Sequence, residues 1–129
     1  EIEEDHLIID LGCGPGNITE RLFLNWPKSK IVGIDDSKQM IDIANRKAAG
    51  RPNIEFSTKR ITQVDGDFDL AISMFNVVNH IHDMDRLTDF YDDIRTKLVP
   101  GGLFIFDCWN EFSHDQANTR QRKVNICLI

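Results

Sequence analysis

Strand-like apolar runs alternate with amphipathic, helix-like segments along most of the chain. The predicted strands are Leu7–Leu11, Lys30–Ile34, Asn53–Phe56, Phe68–Met74 and Gly102–Phe106. The predicted helices are Asn17–Trp26, Lys38–Ala49 and Asp83–Leu98, and the apolar segment Val124–Ile129 suits one further strand. This alternation predicts an α/β fold, a doubly wound, mostly parallel sheet with helices on both faces.

Polar residues at the predicted helix starts support these boundaries. Asn17 with Glu20 is typical of a capping pair, Ser37 of a cap on the second helix, and Asp83 or Asp85 of a cap on the last. Apolar side chains recur along one face of the last helix, at Leu87, Tyr91, Ile94 and Leu98. That face is therefore expected to pack on the sheet.

The turn between the first strand and the first helix carries three glycines at alternate positions. The chain reads D-L-G-C-G-P-G from Asp10 through Gly12 and Gly14 to Gly16. Glycines reach positive φ and lack Cβ, so the backbone can bend sharply and a ligand can approach it closely. We expect Asp10 to point its carboxylate into the same crevice.

This spacing differs from the dinucleotide fingerprint G-x-G-x-x-G. A carboxylate at the strand end would repel a pyrophosphate, whereas it attracts an ammonium group. A ligand that is nucleoside-like at one end and cationic at the other fits, and S-adenosylmethionine is such a ligand. Cys13 is interpreted as a small residue of this binding turn and not as a nucleophile.

Further motifs resemble the class I S-adenosylmethionine-dependent methyltransferases. Residues 31–37 (IVGIDDS) and 68–74 (FDLAISM) are similar to that family's second and fourth strands, and residues 98–107 (LVPGGLFIFD) to its turn and fifth strand. The resemblance implies that Asp35 holds both ribose hydroxyls, the alternative being an acid that caps the helix before Ser37. It also implies that Asp36 and Met40 flank the adenine, with core packing as the alternative for Met40. It also implies that Met74 and Phe75 lie beside the methionine part of the cofactor.

The chain departs from the family's pattern after the third strand. The usual Gly-Asp pair, which bears on the adenine amine, is replaced by Lys59-Arg60. A guanidinium cannot accept a hydrogen bond from an amine, although it can stack on the purine. The backbone of Arg60 and Ile61 remains able to read the adenine edge. We expect weaker cofactor binding, the alternative being a slip that brings Asp65 or Asp67 nearer.

Residues that follow the fourth and fifth strands are candidates for contact with a methyl acceptor. His80 is the candidate general base because histidine changes charge in the physiological pH range, the alternative being an ordinary loop histidine. Asn79 and Trp109 are candidate substrate contacts. The nearby acids Asp83 and Asp85 are better explained as helix N-terminal residues, so no metal site is predicted.

The amino-acid composition limits the classes of binding partner that are expected. The 129 residues carry a net charge of −6 with 41% hydrophobic residues, which suits one globular domain over residues 1–129 and argues against nucleic acid as a partner. No apolar run is long enough for a membrane span, and three scattered cysteines indicate neither disulfides nor zinc. We expect a cytoplasmic protein with a small-molecule acceptor.

The ends of the chain look trimmed relative to the family. The first strand starts almost at once, and residues 108–129 are interpreted as the start of a substrate-specific region. The leading hypothesis is methyl transfer from S-adenosylmethionine to oxygen or nitrogen of a small molecule, with a sugar or sugar nucleotide among the acceptors. The alternatives are a non-catalytic S-adenosylmethionine-binding module and a nicotinamide-dependent oxidoreductase.

Overall fold

The computed structural model describes residues 5–109 and 122–128, with the backbone alone at Trp109 and 122–128. The strands are β1 (Leu7–Leu11), β2 (Lys30–Ile34), β3 (Ile54–Ser57), β4 (Phe68–Ser73), β5 (Leu98–Trp109) and β6 (Arg122–Leu128). The helices are α1 (Asn17–Asn25), α2 (Lys38–Lys47) and α3 (Met84–Lys97). Two short 3-10 turns, Ile61–Gln63 and Val77–His80, follow β3 and β4.

The six strands form one sheet in the order β3-β2-β1-β4-β5-β6. Neighbouring strands from β3 through to β5 run parallel, and β6 is antiparallel to β5. The chain starts at the centre, winds out to β3 and then crosses to β4 on the other side of β1. This confirms the predicted doubly wound, mostly parallel sheet, in which ligands bind at the carboxyl ends of the strands where the winding reverses.

The helices cover both faces of the sheet because alternate strand residues point to opposite sides. On one side, here called the α1 face, Ile8 and Ile31 pack with Leu22 of α1. On the other, the α3 face, Ile9 packs with Ile94 of α3. Burial of each such side chain contributes roughly 1.5–3 kcal/mol to stability. The predicted apolar stripe of the last helix is confirmed, since all four of its residues lie in or against the α3-face core.

Two of the three predicted helix caps are confirmed. The Ser37 hydroxyl accepts a hydrogen bond from the amide of Met40 at 3.3 Å, and Asp83 caps α3. The predicted Asn17–Glu20 pair is wrong. Gly16, in left-handed backbone, is the residue before α1 and no side chain caps that helix, while Glu20 forms an ion pair with Arg51 at 2.8 Å. A glycine that must bend the ligand turn thus takes the place of a polar cap.

The fifth strand is longer than the sequence predicts. It begins at Leu98, ahead of the Pro-Gly-Gly segment, and reaches Trp109. Gly101 has φ +82°, and the pairing with β4 shifts register between Phe68 and Leu70. The segment expected to be a turn is therefore a bulge within the strand, because the left-handed glycine lets the extra residues loop out while pairing continues.

Gly33 in β2 lies where no side chain fits. A Cβ there would be 2.4 Å from Phe56 and 3.0 Å from the sulfur of Cys13. We expect Gly33→Ala to lower the free energy of unfolding by about 1–3 kcal/mol through overpacking, measured by urea denaturation. In a Phe56→Leu background the ring is gone and the loss should shrink. An equal loss in both backgrounds would contradict this contact.

Candidate functional site

The glycine turn after β1 rests on the end of β2. The amides of Gly12 and Cys13 both donate to the carbonyl of Ile34, at 2.8 and 3.0 Å. The amide of Gly14 donates to the Asp35 carboxylate at 2.9 Å. Three successive amides are thereby fixed, and the turn is ordered by its neighbouring strand.

Two glycines of the turn serve different purposes. A Cβ on Gly12 would lie 2.5 Å from the Val77 side chain, so the protein itself fills that space. Gly14, with φ +52°, has no atom of the described residues within 4 Å of a Cβ position, so its backbone is bare on that side. This cradle of bare backbone fits the close approach of a nucleoside-like ligand such as S-adenosylmethionine.

Asp35 lies at the end of β2, half-buried, and lines the cleft. Its second carboxylate oxygen accepts a hydrogen bond from the Ser37 amide at 2.8 Å, so the residue also orders the start of α2. Each carboxylate oxygen has more than one lone pair, and both can therefore accept further bonds from vicinal hydroxyls. Asp36 follows it, exposed, on the same cleft.

Asp10 does not point into the cleft as expected. Its carboxylate is 2% exposed and accepts a hydrogen bond from the Thr19 hydroxyl at 2.6 Å, beneath the first turn of α1. The reason is strand alternation, since Asp10 shares the α1 face with Ile8. Burial raises the pKa of Asp10 to about 6, although the bonds from Thr19 lower it and the charge of Asp35 adds to the rise.

A cavity of about 600 Å³ opens at the carboxyl ends of the strands. The strand ends contribute Leu11, Gly12, Ile34, Asp35 and Asp36. The loops and 3-10 turns contribute Lys59, Arg60, Ile61, Val77, His80 and Ile81, and α3 contributes Arg86, Asp89, Phe90 and Asp93. The cavity thus runs from the glycine turn to α3 and brings together six predicted site residues: Gly12, Asp35, Asp36, Arg60, Ile61 and His80.

Other predicted site residues, including Gly14 and Gly16, are not among those that line this cavity. Met40 is exposed in the first turn of α2, and Met74 packs against the α1-face core. Phe75 is 61% exposed with φ +64°, and Asn79 is exposed in the second 3-10 turn. The side chain of Trp109 lies outside the described residues, as do residues 110–121 of the predicted substrate-specific region.

The surroundings of Cys13 indicate that this residue has a packing role. Cys13 is buried in the core formed by α2 and β3, and burial raises the pKa of its thiol, which keeps it protonated. A protonated, enclosed thiol is a poor nucleophile.

Lys59 and Arg60, which replace the family's Gly-Asp pair, lie at the cavity. Both residues line it, and the Arg60 amide donates to the side chain of Gln63 at 2.9 Å, so that amide is engaged within its own turn. The alternative slip finds no support, because Asp65 and Asp67 do not line the cavity. The cavity therefore carries two cations at the chain positions where the family's pattern has Gly-Asp.

Several site residues were missed by the sequence analysis. Arg86, Asp89 and Asp93 of α3 line the cavity, and Thr19 holds Asp10. The α3 residues recur at i, i+3 and i+7 and so share a helix face, but this spacing does not show that the face meets the cavity.

Two kinds of feature are absent from the described residues, 5–109 and 122–128. These residues contain no group of three histidine, cysteine or acidic side chains that could hold a metal ion. They also include no helix of sufficient length and apolarity to cross a bilayer.

A comparison with protein families identifies the family of this chain. A family model described as a methyltransferase domain matches residues 8–102, well over half of the chain. The chain belongs to this methyltransferase family. The parallel sheet order and the glycine turn agree with the class I members that the sequence resembles, and the predicted family is confirmed.

Curated relatives of this methyltransferase domain are longer proteins. Trans-aconitate 2-methyltransferase of Rhodopseudomonas palustris is 32% identical over 118 residues, covering 88% of this chain and 43% of the relative. Malonyl-acyl-carrier-protein O-methyltransferase of Legionella pneumophila is 38% identical, covering 95% of this chain and 48% of the relative. The chain thus spans about half the length of these relatives.

A solved structure with the same fold holds a cofactor product. The N-methyltransferase NodS of Bradyrhizobium japonicum, in complex with S-adenosyl-L-homocysteine, is 25% identical with a TM-score of 0.68. The match covers 79% of this chain and 52% of NodS. The predicted cofactor of the methyltransferase domain, S-adenosylmethionine, is confirmed.

The buried Asp10 carboxylate should make stability depend on pH. Its folded-state pKa of about 6 lies above the ordinary value of 3.8, so its contribution to stability is fully present below pH 3.8 and is lost as the pH rises through 6. We expect Asp10→Asn to gain about 2–3 kcal/mol over the wild type between pH 4 and pH 7.5, measured by urea denaturation. Thr19→Val should show the opposite trend, since the hydroxyl stabilises the ionised form. A pH-independent difference for Asp10→Asn would contradict this.

Proposed function

We propose that the protein transfers the methyl group of S-adenosylmethionine to oxygen or nitrogen of a small-molecule acceptor. The observation that carries this proposal is the open side of Gly14 beside the Asp35 carboxylate, because it joins a bare backbone cradle to a site for vicinal hydroxyls. Membership of the methyltransferase family supports it. The net charge of −6 supports a small molecule over nucleic acid as the acceptor, and we place the protein in the cytoplasm.

Different residues of the cleft would bind different parts of the cofactor. Asp35 would accept the ribose hydroxyls, and Asp36 and Ile61 would form walls of the adenine site at the edge of the cavity. The bare backbone at Gly14 would lie against the methionine end. When bound, the cofactor supplies a methyl group activated by its positive sulfur, so holding an acceptor at attack distance provides much of the rate.

An oxygen acceptor is favoured by the two curated relatives. Their names specify trans-aconitate and malonyl-acyl carrier protein, and both compounds carry carboxylates. A carboxylate is already ionised at neutral pH and needs no general base, whereas a sugar hydroxyl or a protonated amine does. His80, which lines the cavity, would be that base, and Asn79 and Trp109 remain candidate acceptor contacts.

Cofactor binding should be lost in Gly14→Val. The new side chain would occupy the open space beside Asp35, so we expect no measurable S-adenosylhomocysteine binding by titration calorimetry. Gly50→Val is the matched control, because Gly50 also has positive φ and open space but lies in a surface turn away from the cleft. Asp35→Ala is less informative, since that carboxylate also holds two backbone amides.

The same titration tests the oxidoreductase alternative. Wild-type protein is expected to bind S-adenosylhomocysteine and to give no heat with NAD. Binding of NAD without S-adenosylhomocysteine, or unchanged affinity in Gly14→Val, would overturn the proposed function.

Turnover separates an enzyme from a binding module. We expect acceptor-dependent formation of S-adenosylhomocysteine, and with a hydroxyl acceptor His80→Gln should lower kcat by about a hundredfold or more. With a carboxylate acceptor, kcat should be unaffected by the same change. Full activity of His80→Gln on a hydroxyl acceptor would remove His80 as the base. Cofactor binding without turnover on any acceptor would favour the non-catalytic module, to which the Lys59-Arg60 departure also points.

A further inference from the structure

The segment that follows β4 has an unusual backbone. Phe75 and Asn76 have φ values of +64° and +63°, and neither is a glycine. Left-handed backbone is disfavoured for residues with a Cβ, and two such residues in succession persist only where the surrounding structure holds them. The segment leads directly into the second 3-10 turn, which begins at Val77.

A buried acid of the neighbouring strand provides that hold. Asp107 in β5 is 0% exposed, and its Oδ1 accepts a hydrogen bond from the Asn76 amide at 2.7 Å. The two residues are close across the sheet, since Ser73, the last residue of β4, pairs with Phe106 of β5. A carboxylate bonded to an amide away from water makes a short, charge-assisted hydrogen bond that fixes the amide's direction.

Two side-chain oxygens beside this backbone add no hydrogen bond. The side-chain oxygens of Ser73 and Asn76 are buried and have no hydrogen-bond partner among the described residues. Buried polar atoms without partners cost free energy. The Asn76 carbonyl accepts a hydrogen bond from the Asn79 amide at 3.0 Å, so the residue is held at its carbonyl by the following turn and at its amide by Asp107.

The segment is in turn pressed against the cofactor turn. Val77 packs so closely on Gly12 that a Cβ on Gly12 would lie 2.5 Å from one of its methyl groups. The next residue, Val78, is buried in the α3-face core. A continuous path of contacts thus runs from Asp107 through Asn76 and Val77 to the glycine turn.

We propose that Asp107 is a positioning residue for the cofactor cleft. It holds Asn76 in left-handed backbone and so keeps Val77 against Gly12, which sets the height of the β4 loop over the glycine turn. Asp107 is wholly buried and does not line the cavity, so it acts through the backbone of Asn76. The proposal rests on the proposed function, because its main consequence is for cofactor affinity.

The test compares two substitutions of similar size. Asp107→Asn retains an oxygen that can accept from the Asn76 amide, whereas Asp107→Leu does not. We expect S-adenosylhomocysteine affinity to fall about threefold in Asp107→Asn and about tenfold or more in Asp107→Leu, as for loss of one charge-assisted hydrogen bond. Asn76→Gly should partly restore the affinity of Asp107→Leu, because glycine adopts positive φ without cost.

Asp69→Leu is the matched control. The Asp69 carboxylate also accepts a hydrogen bond from a backbone amide, that of Leu7 at 2.8 Å, but at the opposite end of the sheet. Its loss should leave S-adenosylhomocysteine affinity unchanged even where it lowers stability. Equal losses of affinity in Asp69→Leu and Asp107→Leu would indicate a general effect of stability and overturn the proposal.

Hydrogen exchange of the Asn76 amide in ligand-free protein gives a second readout. We expect strong protection in the wild type, faster exchange in Asp107→Asn and loss of protection in Asp107→Leu. Unchanged protection in both variants would overturn the proposal. If the wild type failed to bind S-adenosylhomocysteine, the proposed function would fall and the exchange data alone would decide the role of Asp107.

A folding defect in Asp107→Leu would not prevent the test. In that case Asp107→Asn is compared in the wild-type and Asn76→Gly backgrounds. The affinity loss is expected only in the wild-type background, because a glycine at this position does not need the carboxylate to hold its backbone. The same loss in both backgrounds would overturn the proposal.

Discussion

The cofactor cleft depends on the contact between the turn after β1 and the end of β2. The Ile34 carbonyl and the Asp35 carboxylate together take three successive amides of that turn. Parallel neighbours place their carboxyl ends side by side, so the loop after one strand can bond to the end of the next. Asp35 thus orders the turn and also presents acceptor oxygens to the cleft. A site ordered in this way before a ligand arrives has less conformational entropy to lose on binding.

The turn is also supported from its other neighbour, β4. Val77 covers Gly12 from that side, while the bonds to Ile34 and Asp35 act from the side of β2. Because β1 lies between β2 and β4 in the sheet, the two supports act from opposite directions. Between them, Gly14 has a bare side that no atom of the described residues covers. The packing therefore supports the turn at Gly12 and leaves its backbone uncovered at Gly14.

Local patterns predicted the sheet well and the site only in part. Buried parallel strands are continuous apolar runs, so β1 and β2 were found to the residue. The direction of the Asp10 side chain was not foreseen, because it depends on which face of the sheet α1 covers. The position of Asp89 in the cavity lining was not foreseen either, because it depends on how α3 crosses the strand ends. Both are tertiary relations that no short motif contains. The Asn17 cap failed for a related reason, since the ligand turn required glycine at the position before the helix.

The charge pattern of the cavity follows from the same packing. Where the family's pattern has an acid after the third strand, this chain has Lys59-Arg60, yet the cavity keeps acidic side chains because α3 contributes Asp89 and Asp93. Cations and acids that line the same cavity lower each other's electrostatic cost. The cavity therefore carries charges of both signs among its lining residues. Because α3 is fixed to the sheet by its buried apolar stripe, those carboxylates belong to a rigid element, whereas Lys59 and Arg60 are carried by a loop.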